Sequence, residues 1–305
     1  MIQQLFLLTL SFNLLFLAHP LQAGSAQPPF QNDLSVLEDS ETESHDDSDI
    51  RYDENSLIQR HYSNFEKQEV KNAYGSSEIC DIDFSKSTFK DSEAGGIDFM
   101  HCKLSLSNFI RTTFDSSCFY RSKAQRCAFD GANFSDLDAQ ETDFSYSTFR
   151  KLKGCIEGKF IQCTLNACRF IRADLYKSSF LRCQLEKADF SYADLTEACF
   201  NASRLCDASF IRLESARDAC FEDAHLEHAN FTSAKLKSSN FSHAFLQGAN
   251  FSSANLHHAD LRNADLRDIT IDESTIFAGA KFNDGTLMNA HLRDTIIARG
   301  GRFVR

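Results

Sequence analysis

The chain has 305 residues, 42% of them hydrophobic and 25% charged, with 29 Phe, 11 Cys, no Trp and a formal net charge of −11. That charge is uneven: residues 24–78 hold 13 acids against 4 bases, whereas residues 79–305 hold 30 acids against 28 bases. The long C-terminal part is nearly neutral, which excludes a strongly charged surface of either sign over most of the molecule.

In chain order, residues 1–23 read as a secretory signal peptide. The apolar run from Leu5 to Ala18 is short for a membrane span, and Leu21-Gln22-Ala23 ends on a small residue suited to cleavage. No Lys or Arg precedes the run, so an uncleaved anchor is the rival reading. The expected location is secreted or periplasmic, with cleavage near Ala23. Residues 24–56 lack periodicity and contain the acid-rich run from Glu38 to Asp49, which predicts a disordered acidic tether. Over 57–78, Ile58, Tyr62, Phe65 and Val70 share one side of a helical pattern, predicting a helical cap over the open end of whatever follows.

From Phe84 to about Ile297 the pattern changes: Phe or Leu recurs every fifth residue with few exceptions, usually with a small residue two positions earlier. Ala188-Asp189-Phe190-Ser191-Tyr192 and Ala193-Asp194-Leu195-Thr196-Glu197 are two such units. A five-residue period fits neither helix nor strand. It fits a chain that turns a corner every five residues and stacks coil on coil, because one large side chain per unit cannot exclude water alone. The Phe/Leu position and the small residue before it face inward. Phe160, Phe170, Phe180, Phe190, Phe200 and Phe210 alternate with Leu165, Leu175, Leu185, Leu195 and Leu205, a ten-residue period. The register slips by one residue between Phe149 and Phe160, Phe210 and Phe221, and Ile271 and Phe282, with 151–154 and 213–216 as the expected sites of the first two. Ile296, Ile297, Phe303 and Val304 are expected to close the last coil.

These units resemble the pentapeptide-repeat family: a small residue, Asp or Asn, Leu or Phe, and two polar positions. The resemblance implies an all-β fold over 79–305, a right-handed quadrilateral parallel β-helix with four units per coil and a length of about 50 Å. Some family members mimic DNA and occupy type II topoisomerases, so modulation or protection of DNA gyrase is the alternative function. The near-neutral repeat region and the leader both weigh against it.

Cys102, Cys127, Cys163, Cys168 and Cys183 occupy the small inward position, where thiols serve as compact core filler. Two cysteine pairs stand one coil apart: Cys163 with Cys183 inside, and Cys199 with Cys220 outside, the latter a candidate disulfide. His225, His228, His257 and His258 lack metal-ligand spacing, Asp174 and Asp194 read as corner residues, and no nucleotide or hydrolase motif occurs. No cofactor and no enzymatic activity are therefore expected. Asn-x-Ser/Thr triplets at Asn133, Asn201, Asn230, Asn240 and Asn250 follow from the repeat. One outward pattern points to a partner: Arg111, Lys151, Arg172 and Arg212 share a face, with Gly131 and Tyr192 between them and Lys153, Lys159, Arg169 and Arg182 nearby. The reading is an exported, non-enzymatic scaffold whose rigid surface binds an unidentified protein, without nucleic acid or membrane contact beyond the leader. A homodimer through one solenoid end is a further expectation.

Overall fold

The computed structural model describes residues 8–10, 70–72 and 78–304. The expected signal peptide, acidic tether and helical cap lie outside the described residues, apart from β1 (Leu8–Leu10) and β2 (Val70–Asn72), which pair antiparallel. From residue 78 the chain forms a β-solenoid of about eleven coils. Five strands, β3 (Glu78–Cys80), β4 (Asp98–Met100), β5 (Cys118–Tyr120), β6 (Asp138–Gln140) and β7 (Lys159–Ile161), make one parallel sheet along the first wall. Beyond β7 the same ladder continues as single bridges to β8 (Lys281–Phe282), which pairs with β9 (Arg302–Phe303).

Four inward columns fill the interior, one per wall. The third wall carries an unbroken pile of nine Phe rings from Phe89 to Phe251. Neighbouring centroids there lie 4.7–5.2 Å apart, as in Phe149–Phe170 and Phe190–Phe210, with planes within 15° of parallel. The first wall carries Phe160, Phe180, Phe200, Phe221 and Phe241 likewise, and Leu165 to Leu246 line the second. Opposed Phe walls and Leu walls thus appear from residue 160 onward.

The earlier coils solve the same volume problem differently. Phe119, Phe129 and Phe134 crowd one coil, and the fourth central site of that coil is Ala124. In the next coil Ala139 interrupts the first wall. The Phe144 ring fills the gap, 5.7 Å from Phe119 and 6.0 Å from Phe160. Extra rings are matched by small residues because a closed square of backbone cannot widen to admit them.

Each unit's polar positions have a backbone task. Asp or Asn before the central residue accepts from the backbone N–H two residues on, as Asp194 does from Thr196 at 2.9 Å. Asp174 does the same for Tyr176, so both carboxylates are corner residues. A Ser at the small inward site brackets two coils. Ser122 Oγ accepts from Cys102 N–H at 3.0 Å and donates to the Phe99 carbonyl at 2.9 Å. Inward thiols donate similarly, Cys127 Sγ to Leu104 O and Cys168 Sγ to Phe144 O. Burial pushes the Cys102 and Cys127 thiols up to about 12, which leaves them protonated filler rather than nucleophiles.

Corners are tight turns in which the second residue after the central one takes positive φ. Ser87 N–H donates to Phe84 O at 3.1 Å across Lys86, whose φ is 63°. Thirty-five described non-glycine residues share this left-handed geometry. Isolated L-residues there cost roughly 1–2 kcal/mol each, so the stacked interior holds the corners in place.

Slips occur at the three expected places, and a fourth appears. Register partners are twenty residues apart at Asn133–Lys153, Asp189–Ser209 and Asn250–Thr270, and twenty-one apart at Asp138–Lys159, Asp194–Ser215 and Asn255–Ile276. The first three insertions lie three coils apart: the first falls on the fourth wall after Lys153, and the next two fall between the third- and fourth-wall bridges. At the first two, Leu152 and Leu213 are buried while Cys155 and Ala216 take the usual large site. Gly154 is required there: its φ is 62°, and a Cβ would come within 2.6 Å of Asn133 Oδ1. The fourth insertion lies between Lys281 and Leu287, where the separation grows to twenty-two at Asp265–Leu287. Asp272 with Thr275 and Asn283 with Thr286 close the last two alike, each Thr hydroxyl donating 3.0 Å to a carbonyl of the preceding coil.

The all-β solenoid carries one short helix at its C-terminal end. Helix α1 (Ala290–Ala298) replaces two walls of the final coil, with the Asn289 side chain accepting from Leu292 N–H at 2.8 Å as N-cap. Leu292 and Ile296 bury their side chains under it, while Ile297 is 47% exposed and does not close the coil. A helix places residues four apart on one face, so adjacent Ile296 and Ile297 cannot both point inward. Phe303 packs edge-on against Phe282 at 5.6 Å, with the Arg293 guanidinium over its other side.

Three measurements test this account. Phe190→Ala opens a cavity between Phe170 and Phe210 and should destabilise the fold by about 3–5 kcal/mol in denaturant titration. Leu106→Gly, at an exposed corner with φ of 66°, should instead raise the denaturation midpoint modestly, since glycine removes the left-handed penalty. The third titrates Asp272: the Ser253 hydroxyl and backbone N–H, 2.7 and 2.8 Å away, lower its pKa to about 2. Because the folded value is depressed, its stabilisation is complete above the unfolded value near pH 3.9 and is lost as pH falls toward about 2. Carboxyl NMR should place the midpoint near 2, and Asp272→Asn should remove that part of the acid dependence.

Candidate functional site

The residue two after the central one is exposed in most units, and these residues form four corner columns running along the solenoid. Three columns contain charge-paired runs. Glu157, Lys177 and Glu197 alternate on one, with both Lys177 nitrogen–oxygen distances 3.9 Å. Arg121 pairs with Glu141 at 2.8 Å on another, and Arg111 with Asp91 at 2.8 Å on a third. Exposed pairs of this kind contribute little to stability. They do neutralise the surface locally.

The third-wall column holds Asp91, Arg111, Gly131, Lys151, Arg172, Tyr192 and Arg212 in succession. The four cations singled out in the sequence therefore do share one corner, with Gly131 and Tyr192 between them. Arg111 leaves the set: its guanidinium is committed to Asp91. Lys151, Arg172 and Arg212 are exposed and have no ion pair among the described residues. Tyr192 organises two of them. The Arg172 guanidinium lies 5.6 Å from its ring centroid, and Arg212 Nη1 donates to its hydroxyl at 3.4 Å. Cation–aromatic contact and the hydrogen bond hold two long side chains at defined heights, which lowers the ordering cost of a contact.

Of the cations expected nearby, Lys153 and Arg169 flank this corner. Lys159 belongs to the first wall in β7, and Arg182 follows Phe180 at the diagonally opposite corner. Their small sequence separation from Lys151 is misleading, since five residues of chain carry the surface to the next wall. The sequence also missed that the first three insertions fall beside this corner or on the wall that follows it. Lys151 and Arg212 each immediately precede one, at Leu152–Cys155 and Leu213–Ala216. The signal was present in the equal spacing of the slips, but only closure of the coil shows that they lie on one side of the solenoid.

Cys199 and Cys220 are register partners on the outside of the first wall, both half-buried and both reduced. Burial, as the largest cause, raises the Cys199 thiol, and the Asn201 backbone N–H opposes that rise. The histidines are dispersed. His225 stacks on Phe245 at 4.5 Å and contacts Glu227, His228 lies against Gly248, and the His257 and His258 rings touch edge-on. Among the described residues no group of three metal-ligating side chains converges, and no helix is long and apolar enough to cross a membrane.

The family model described as Pentapeptide repeats matches residues 159–191, 168–207, 215–245 and 229–268, in eight copies. No curated protein matches the chain. Among solved structures, it is similar to HetL, a pentapeptide repeat protein involved in heterocyst differentiation regulation from the cyanobacterium Nostoc sp. strain PCC 7120. Identity is 21% over 69% of this chain and 91% of HetL, with a TM-score of 0.30. It is also similar to QnrB1, a plasmid-mediated fluoroquinolone resistance protein, at 18% identity over 60% of this chain and 90% of the other, TM-score 0.38. A pentapeptide repeat protein of the Arabidopsis thaliana thylakoid lumen is 22% identical over 40% of this chain and 74% of its own, TM-score 0.18.

Proposed function

We propose that this chain, whose residues 159–207 and 215–268 match the pentapeptide-repeat model, is an exported, non-enzymatic pentapeptide-repeat scaffold that binds an acidic protein partner along one edge. The observation that carries the reading is the coincidence of two features at and beside the corner between the third and fourth walls. Lys151, Arg172 and Arg212, cations without a carboxylate partner among the described residues, stand there on three of four consecutive coils, with Tyr192 on the fourth. Backbone insertions break the regular outline beside Lys151 and Arg212.

Spacing supports an extended ligand. Lys151 and Arg172 are one coil apart, and Arg172 and Arg212 two, so the three charges recur at about 5 and 10 Å. A strand or loop with carboxylates at every second residue or so meets that pattern, a strand rising about 3.3 Å per residue. A solenoid whose coils are held by an internal Phe pile presents these groups without rearrangement, which limits the entropy lost on association. Export follows from the leader read in residues 1–23.

The test is affinity capture from the secretory compartment with wild type and a Lys151→Glu/Arg172→Glu/Arg212→Glu variant. The variant should keep the wild-type melting temperature, since these side chains are exposed, and should lose the partner. Binding by wild type should weaken steeply as salt rises. Identical partner lists for the two proteins would remove the corner from consideration, and an intact Met1 in a cytosolic fraction would remove export.

A further inference from the structure

The outer face of the first wall carries a second chemical feature, remote from the basic corner. Cys199 and Cys220 are direct register partners on adjacent coils. Their neighbours Phe200 and Phe221 stack with centroids 5.1 Å apart and planes 5° from parallel, so no shear displaces one coil from the other here. Side chains at equivalent positions of such a ladder leave the backbone side by side, with Cβ atoms held near the coil spacing of about 4.8 Å. A disulfide, which tolerates Cα separations of about 4.4–6.8 Å, is the oxidised alternative for this pair. A metal ion between two thiolates needs more room: two bonds of about 2.3 Å each, in line, separate the sulfurs by about 4.6 Å.

Two amide groups flank the sulfur pair. Asn240 Nδ2 donates to Cys220 Sγ at 3.5 Å. The Asn201 backbone N–H reaches the Cys199 sulfur. Asn201 Oδ1, next to it, is buried without a hydrogen-bond partner. Among the described residues no third His, Cys, Asp or Glu converges on the pair. Ions that need four or more donors, such as zinc or calcium, are therefore poorly served. A soft monovalent ion that is content with two thiolates in line is not.

We propose that Cys199 and Cys220 form a two-thiolate binding site for a soft monovalent cation of the copper(I) class. Binding exchanges two thiol protons for one cation, giving a bis-thiolate complex of charge −1 with no change in oxidation state. The inner pair at the same one-coil separation does not compete. Cys163 and Cys183 are buried, and their thiols already donate to the carbonyls of Ala139 and Phe160 at 3.3 and 3.1 Å.

The test titrates reduced full-length protein with copper(I) under anaerobic conditions against a chromogenic copper(I) chelator. Wild type and a Cys163→Ser/Cys183→Ser variant should each capture one equivalent. Cys199→Ser and Cys220→Ser, with β-rich spectra retained, should each bind at least about a hundred-fold more weakly, since even partners one shell further out cost 10–100-fold. Copper K-edge absorption should report two sulfur neighbours. Undiminished binding by Cys199→Ser would overturn the site. So would a mass deficit of two hydrogens linking the Cys199 and Cys220 peptides that persisted in the presence of copper(I), because the thiols would then be consumed as a disulfide.

Discussion

The interior of this protein is a closed square whose width the backbone sets, and every other feature answers to that constraint. Coil-to-coil hydrogen bonds fix the rise, and five residues per wall fix the girth. Each wall then contributes one large side chain and one small one to a cross-section that can neither expand nor collapse. Two Phe and two Leu fill it in the later coils. Three Phe with an Ala fill it around Phe119, and a neighbouring Phe144 ring covers for Ala139. The recurring quantity is volume per coil, with residue identity free to vary around it.

Polar residues inside and at the corners follow from the same closure. Inward Ser, Thr and Cys such as Ser122, Cys127 and Cys168 find turn carbonyls of the preceding coil within hydrogen-bond reach, so a small polar side chain substitutes for Ala there with its donor satisfied. The Ser87 hydroxyl in the first coil, by contrast, finds no partner among the described residues. Corner residues tolerate left-handed backbone because the stacked coils on either side over-determine their position. An isolated unit would have no reason to hold that geometry. Cooperativity is thus nearest-neighbour in kind, each coil being the template for the next.

Surface chemistry is organised by the columns that this stacking creates. Opposite charges repeat along most corners and cancel, which is why a region with 30 acids and 28 bases presents little net field. The corner of Lys151, Arg172 and Arg212 departs from that pattern and stands beside backbone insertions. The thiol pair on the first wall departs in another way, as two cysteines at a separation imposed by the ladder. Both are properties of register, and both lie away from the aromatic interior.

The period of five determined the solenoid, the inward Phe and Leu, the small positions and three of the four slips, because each depends only on spacing along the chain. The shared face of Arg111, Lys151, Arg172 and Arg212 was legible for the same reason, as was the neighbourhood of Cys199 and Cys220. Other features were decided only by tertiary structure. The commitment of Arg111 to Asp91 depends on where side chains reach across a coil. The removal of Lys159 and Arg182 to other sides depends on which wall a residue occupies. Helix α1 arises where the pentad pattern fades and a capped helical turn buries Leu292 and Ile296 instead. The gathering of three insertions beside one corner or on the wall that follows it appears only once the square has closed, since spacing gives the count of residues and closure gives their direction.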